Sequence, residues 1–545
     1  MIKIQFPRMA DTNNIVKCPY PDVTIPENQS LVERVFQRVK EFPEHIALVD
    51  GISGTKYTYN ELVEAIQRVG SGLTKLGFKK KDVLCLYSPN CPEWVITYFA
   101  VIAIGGIATT ANPLYTAGEI QHQMEDAGAT YIATVAEFLP KVQEAATKYT
   151  ELKKVIVFGN GNTQGSISFN LLMEDKGDAF KAAKVNAKED IAALPYSSGT
   201  TGLPKGVMLT HFNLVANIQQ FCSPYFLSSH IGDCYIAVLP FYHIYGQINV
   251  LAGGLCDGAT IVTMPRFEPE LYLHAIQQYK ATRLFVVPPM ALFLAKDPRM
   301  DKYELSSVKE IFCGAAPLSK ELQEEVTARL KCKLRQGYGM TELSPTSHIS
   351  PKIGWKYGAA GICVPNTESK VIDLDTGVAL GPHMDGEVCV RGPQVMKGYL
   401  NNYEATANTI DEEGWLHTGD IGHYDHNGHF YVVDRLKELV KYKGFQVAPA
   451  ELEGLLLTHP DIADSAVIGV PDIVAGELPK AFIVKKPGAT ITGEQICKFV
   501  EGLVAPHKKL RGGVEFCQEI PKSPSGKILR RILRQIIKDR LKSKL

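Results

Sequence analysis

No excess of either charge marks this chain: lysine plus arginine and aspartate plus glutamate each number 58 in 545 residues. Balance of that kind gives no global reason to expect nucleic acid or an acidic membrane as partner, so any anion must be gripped locally. Paired cysteines are missing too. Twelve cysteines run singly from Cys18 to Cys517, with no CxxC pair and no Cys/His cluster at zinc-ligand spacing. This argues against a disulfide framework or a structural zinc and fits buried thiols in a reducing compartment. The opening MIKIQFPRMADTNN lacks the apolar run of a signal peptide. One uncharged stretch, Trp94 to Gly118, is broken by Gly105-Gly106, Asn112 and Pro113. It reads as a buried helix ending at the glycine pair and followed by a short strand, not as a membrane span. Tandem repeats and low-complexity tracts are absent as well.

What is present is the composition of a globular protein of several units, 45% hydrophobic and 21% charged. Helical and strand patterns alternate from residue 30 to about 430. NELVEAIQRVGSGLTKLGF (Asn60 to Phe78) predicts a helix capped by asparagine and stopped by glycine, and DVLCLYS follows as a strand. KKVIVFG, RLFVVPP and SSVKEIFCGAAPLSKEL repeat the strand-then-helix order, which predicts α/β layers with largely parallel sheets. After Gly377 shorter strands (DGEVCVRGP, GHFYVVD) predict a β-rich subdomain. Near Asp434 a charged hairpin-like segment runs into a helix, and a small α+β unit follows. The expected organisation is a large N-terminal domain over 1–434 and a small mobile C-terminal domain over 435–545, hinged at Asp434 to Lys437. The last helix places Ile528, Leu529, Ile532, Leu533, Ile536 and Ile537 on one stripe opposite a basic face, as a docking helix does. The chain closes on Ser543-Lys544-Leu545, which at a free C-terminus is a peroxisomal address read by an import receptor.

The stretch SSGTTGLPKG, Ser197 to Gly206, gathers three glycines, four hydroxyls and a lysine. It is not a Walker loop, whose glycines are separated by four residues and whose lysine follows glycine; here Pro204 precedes Lys205. The ingredients are still those of a phosphate cradle. Glycines let backbone N–H groups approach, Ser197, Ser198, Thr200 and Thr201 offer hydroxyls, and Lys205 adds a mobile charge. VMLTHFNLVANIQQF after it predicts a helix.

At this loop the sequence resembles the adenylate-forming superfamily of acyl-CoA synthetases, 4-coumarate:CoA ligases, beetle luciferases and peptide-synthetase adenylation domains. Further stretches follow in that family's order: Phe241 to Gly246 (FYHIYG), Gly314 to Leu318 (GAAPL), Gln336 to Glu342 (QGYGMTE) and Trp415 to Asp420 (WLHTGD). Val433 to Glu453 and Pro521 to Lys527 (PKSPSGK) complete the set. The similarity runs from about residue 25 to the end, and its wording is nearest the 4-coumarate:CoA ligase branch.

The resemblance implies an ATP-dependent carboxylate–CoA ligase that forms an acyl-AMP and then an acyl-CoA thioester, from a fatty acid or a 4-coumarate-like aryl acid. It implies ATP, Mg²⁺ and CoA, and no nucleic acid or transmembrane segment. Lys527 matches the lysine that bridges carboxylate and α-phosphate. Thr341 matches a residue that contacts the α-phosphate, and Glu342 one that helps hold Mg²⁺. Gly199 and its hydroxyl neighbours would cradle the phosphates with Lys205. Asp420 matches the ribose acceptor and Arg435 a second ribose contact. Ala315, Gln336 and Gly337 should line the adenine slot, with Tyr338 among the nucleotide contacts. His243 would sit beside the carboxylate and the thiol entrance, and Tyr245 and Met340 would wall the acyl pocket. Arg266, Lys441, Lys443 and Gly444 match CoA contacts, Lys441 as the lysine of thioester formation. The alternative within the same superfamily is a luciferase-type monooxygenase acting through a luciferyl adenylate. Two departures count against it: Asn217 stands where beetle luciferases have an arginine, and LSPTSH follows the Thr-Glu pair.

Overall fold

The computed structural model describes residues 10–159, 165–197, 204–443, 445–472, 474–523 and 526–542. Among them the strands form four sheets. Two large sheets, of eight and nine strands, build the N-terminal domain. The first is parallel through Ile107–Thr110, Val83–Tyr87, Ala129–Val135 and Lys154–Phe158. The second is parallel through Thr260–Thr263, Cys234–Ala237, Arg283–Val286, Glu310–Cys313 and Lys333–Gly339. Both turn antiparallel toward one edge. One continuous apolar core, including Val95, Phe99, Leu214, Ile248 and Leu284, runs between them. The strands are apolar on both faces because helices cover both. The uncharged stretch after Trp94 resolves as expected into a buried helix, Pro92–Ala103, and the strand Ile107–Thr110. Among the described residues no helix is long and apolar enough to cross a membrane, and all twelve cysteines are free thiols.

Three local expectations need correction. The helix expected from Asn60 is Tyr59–Lys75, capped by Thr58, whose hydroxyl accepts from the Glu61 amide while Glu61 accepts from the Thr58 amide. That reciprocal box satisfies two otherwise orphaned N–H groups, which asparagine at 60 does not. The helix expected from Val207 begins only at His211. Lys205–Thr210 is a strand, paired antiparallel with Ile191–Ser197, and Thr210 boxes with Asn213 to start His211–Phe221. The described ends of the phosphate stretch, Ser197 and Lys205, are therefore register partners on these two strands. Finally, the C-terminal stripe splits. Leu533 is buried and Ile528 and Ile537 pack against the core of Ala466, Ile468 and Phe482, whereas Ile532 and Ile536 are exposed.

The β-rich subdomain is a five-stranded antiparallel sheet, Val16–Lys17, Glu368–Ile372, Gly386–Arg391, Leu416–Tyr424 and Phe430–Arg435. It begins before Gly377 and recruits the N-terminus. Beyond Arg435 the hairpin Val440–Tyr442 and Phe445–Val447 joins Ile462–Asp472, Gly476–Lys485 and Val514–Phe516 in the fourth sheet. That unit has its own core, including Val447, Leu452, Val467, Ile483 and Ile496.

Candidate active site

The site lies where the C-terminal ends of the nine-stranded sheet meet the β-rich subdomain, the end at which open α/β sheets bind ligands. Asp420 and Arg435 are register partners on adjacent antiparallel strands, which puts Arg435 Nε 3.3 Å from Asp420 Oδ1. The other oxygen, Oδ2, accepts from the Tyr338 hydroxyl at 2.7 Å. Tyr338 reaches it from the end of Lys333–Gly339, so two separate sheets converge on one carboxylate. Burial and the Asp420 charge hold the Tyr338 phenol well above its ordinary range.

Lys527 enters from the C-terminal domain. Its amide donates to Ser523 Oγ at 3.1 Å and its carbonyl accepts from the Ser523 amide at 2.8 Å, closing a tight turn. Gly526, at φ +78°, rests on Val287 and Pro289; a Cβ there would lie 3.0 Å from both, so only glycine seats the turn this closely. Lys522 anchors the same segment through Asp464 at 2.6 Å. Burial, with Arg435 and Lys437 close by, lowers the Lys527 ammonium to about 7 against the opposing pull of Asp420 and Glu438.

His243 faces this lysine. The loop that carries it is pinned by Asn90, whose amide donates to the Ala237 and Leu239 carbonyls at 3.0 and 2.9 Å and accepts from the Phe241 N–H at 2.8 Å. Behind it runs a π-helix, Tyr245–Ala252, a geometry frequent at functional sites. Gly246 is obligatory, since a Cβ would lie 2.3 Å from the Pro240 carbonyl oxygen. Burial and then Lys527 depress the His243 imidazole to about 4, so it is neutral at physiological pH. Its Nδ1 accepts from the Tyr245 amide at 3.3 Å, which assigns the proton to Nε2.

Glu342, on the turn Thr341–Leu343, is buried and its Oε1 accepts from Ser197 at 2.9 Å and from Tyr399 at 2.7 Å. Lys205 Nζ lies 4.9 Å above the Tyr399 ring. Tyr399 thus ties Glu342 to Lys205. The motif reading did not include it, nor Asn90. The remaining loop residues Ser198, Gly199, Thr200 and Thr201, with Gly444 and the terminal Ser543-Lys544-Leu545, lie outside the described residues.

Other expected positions divide. The Gln336 side chain is bonded within the protein: it accepts from the Leu318 N–H at 3.2 Å and donates to the Leu318 carbonyl at 3.2 Å and to Gln323 at 2.9 Å. Its work is to hold the 314–318 loop, where Ala315 is exposed at φ +75°. At Gly337 a Cβ would strike the Phe312 ring at 2.5 Å. Tyr245 is buried against Phe285 and Phe312 and donates its hydroxyl to the Phe312 carbonyl at 3.1 Å. Met340 is not in that aromatic group; it packs on the β-subdomain core beside Leu343 and Val388. Thr341 is half-buried at the start of its turn. Arg266 is exposed and paired with Glu268 at 2.5 Å. Lys441 and Lys443 are exposed on the C-terminal hairpin, Lys443 at φ +47°. Lys527, Arg435, Asp420 and His243 are brought together; Arg266, Lys441 and Lys443 are not part of that group.

A family model described as AMP-binding enzyme matches residues 35–400, and one described as AMP-binding enzyme C-terminal domain matches residues 451–527. A 4-coumarate–CoA ligase of Solanum tuberosum is 44% identical over 528 residues, covering 95% of this chain and 96% of the relative. One of Vanilla planifolia is 44% identical over 533 residues, with the same coverage. Among solved structures, the anthranilate CoA ligase AuaEII in complex with anthranoyl-AMP has TM-score 0.89 at 27% identity, covering 96% of this chain and 99% of that one. ATP-bound MatB from Rhodopseudomonas palustris has TM-score 0.86 at 29% identity, covering 94% and 99%. The relatives are named 4-coumarate–CoA ligases and the first of these structures is a CoA ligase, which disfavours the luciferase alternative. The chain belongs to the AMP-binding enzymes, the adenylate-forming superfamily, and within it to the 4-coumarate:CoA ligase-like, AMP-forming acid–CoA ligases.

Proposed function

We propose that this ligase activates an apolar monocarboxylic acid of the 4-coumarate type, with Lys527 as the cation at the reacting centre. The observation that carries the mechanism is Lys527, brought through the Gly526 contact to Asp420, Arg435 and His243. In the first step a carboxylate oxygen bonds to the α-phosphorus of ATP and the bond to pyrophosphate breaks. Two anions must approach each other, so a positive charge at their junction lowers the barrier most. Lysine suits this because a compact charge on a flexible stem can enter and leave. Asp420 and Arg435 hold the ribose, and neutral His243 offers its Nε2–H to the acid without adding a second cation next to Lys527. In the second step the thiol of CoA bonds to the acyl carbon, AMP leaves and the thiol proton is released.

Glu342 fits a magnesium ligand: it is a buried hard-oxygen donor already fixed by two hydroxyls, beside Lys205. The ion, when bound, neutralises charge on the pyrophosphate.

Two observations support an aryl acid with a distal hydroxyl. Relatives at 42–44% identity are named 4-coumarate–CoA ligases. The Tyr272 hydroxyl, buried near Tyr245, has no hydrogen-bond partner among the described residues, and a hydroxyl at the far end of the acid would supply one. A fatty acid is the second reading, favoured by the aromatic wall of Tyr245, Phe285 and Phe312, whose one hydroxyl is already committed to a carbonyl. A panel of cinnamic acids and fatty acids, scored for CoA thioester, separates them. The aryl reading expects 4-coumarate to outperform unsubstituted cinnamate, with the difference lost in Tyr272→Phe. A panel led by long-chain fatty acids would discard it. We also propose that Ser543-Lys544-Leu545 directs the protein to peroxisomes; a fluorescent protein fused ahead of the full chain should be punctate and become diffuse when the tripeptide is deleted.

A further inference from the structure

The strand carrying Asp420 departs from its neighbour at the point that matters. Glu387 pairs with Ile421 and Cys389 with His417, so Thr418, Gly419 and Asp420 all stand opposite the single residue Val388. This is a bulge, a device that re-aims a side chain and is common beside active sites. Gly419 makes it possible with φ +67°. The bulge is bonded through the amides of Gly419 and Asp420, the Thr418 hydroxyl and the Gly419 carbonyl. Thr418 Oγ1 donates to the Val388 carbonyl at 2.6 Å and accepts from the Asp420 N–H at 3.1 Å. The Gly419 carbonyl accepts from the Leu436 N–H at 2.9 Å. The Gly419 N–H donates to Glu387 Oε1 at 2.9 Å, and no backbone carbonyl takes its place. The second Glu387 oxygen meets His417 Nδ1 at 3.0 Å, and His417 Nε2 lies 3.6 Å from Asp411. Glu387 is thus clamped between an amide of the bulge and a ring two residues before it.

We propose that Glu387 and His417 are positioning residues for nucleotide recognition: they hold the bulge in the form that turns the Asp420 carboxylate toward the ribose hydroxyls. The inference rests on the assignment of Asp420 to the ribose. Among the described residues no other side chain bonds the Gly419 N–H, and Tyr338 and Arg435 are the side chains that orient the Asp420 carboxylate. Cys389 and Glu387 hold the His417 ring up to about 10, so the clamp stays charged throughout the physiological range. Ligand atoms of Glu387, Cys389 and His417 also lie within 4.8 Å of one another, as around a metal. Both carboxylate oxygens are already engaged by the amide and the ring, however, so the arrangement is complete without an ion.

The test compares the affinity of the full-length protein for AMP and for 2′,3′-dideoxy-AMP by calorimetry, which needs no knowledge of the acid. Wild type should prefer AMP by about tenfold or more, the value of hydrogen bonds to a charged group. Glu387→Ala should lose most of that preference while binding dideoxy-AMP as before. Glu387→Gln, which keeps an acceptor for the Gly419 N–H, should retain a large part of it. His417→Asn, which leaves the Glu387 bond to Gly419 in place, should show a smaller loss, and these two milder changes carry the comparison if Glu387→Ala does not fold. Preservation of the full preference in the variants overturns the proposal, and so does an equal loss for both ligands, which marks a general structural role. A wild type that binds AMP and dideoxy-AMP alike overturns instead the ribose assignment of Asp420, and a wild type that binds neither overturns the nucleotide site itself.

Discussion

At the scale of single residues, the site works by moving charge into a place that resists it. Lys527 keeps its proton only below about 7 when its turn is seated, against 10.5 for the same group in water. Between those values the seated chain binds fewer protons than one whose lysine is in water, so seating is favoured as pH rises through the window and opposed as pH falls below it. On the proposed role of Lys527, binding of nucleotide and acid brings anions to the lysine and restores the ammonium. At pH 8 the ternary complex should therefore take up as much as one proton, and reactant affinity should fall with rising pH. Calorimetry in buffers of different ionisation enthalpy measures the uptake, and Lys527→Met should abolish it. Asp420, Arg435 and Lys527 were legible in the sequence because each sits in a contiguous motif whose spacing survives as a pattern. Tyr399, Asn90 and Glu387 were not. Their roles arise from contacts with residues far off in the chain: Tyr399 meets Glu342 57 residues away, and Asn90 meets Phe241 151 residues away. No local pattern encodes those distances.

Elements decide how firmly the parts are held. The strand Phe430–Arg435, the helix Pro449–Leu457 and the helix Arg530–Lys542 meet at a buried ion pair, Arg530 with Glu453 at 2.7 Å. Beside it the Asp434 carboxylate accepts from the Ala450 N–H at 2.7 Å and from the Arg435 N–H at 2.7 Å, and it feels the Arg530 charge. Arg530→Met would leave Glu453 buried with the Val467 amide as its remaining donor. Removing one member of such a pair costs about 3–5 kcal/mol. The C-terminal domain should unfold at lower denaturant, and the loss should be smaller in Arg530→Met with Glu453→Leu, because both charges then go together. A chemical-denaturation series on wild type and the two variants measures it. Sequence patterning found the elements here but not their ends. The signal for the Thr58 cap, a threonine three residues before Glu61, was present and outweighed by the nearer Asn60. Val207 to Thr210 reads as the start of a helix because four residues cannot show a period; antiparallel pairing with Ile191–Ser197 makes them a strand.

Across the whole molecule, the two groups of C-terminal lysines stand in different surroundings. Lys527 is half-buried at the junction with the large domain, where Gly526 touches Val287 and Pro289. Lys441 and Lys443 stand exposed on the Val440–Val447 hairpin, where the Lys441 amide is tied to Glu477 within the C-terminal sheet. A rigid domain cannot bring both sets to one reacting centre at once. On the proposed roles of these lysines, the structure is the arrangement suited to forming the adenylate, and transfer to thiol would follow a turn of the domain about the segment from Asp434 to Lys437, which joins the two cores. Motion of this kind separates the half-reactions experimentally. Lys527→Ala should lose acid-dependent pyrophosphate release by two orders of magnitude or more, roughly the loss seen when one charge-stabilising group is removed, and still make thioester from supplied acyl-AMP and CoA. Lys441→Ala should release pyrophosphate normally in the first turnover and fail at the thioester. Single-turnover assays of each half-reaction read both. Equal loss of both steps in both variants would mean that the two lysines act in one arrangement, and the turning domain would have no part in the mechanism.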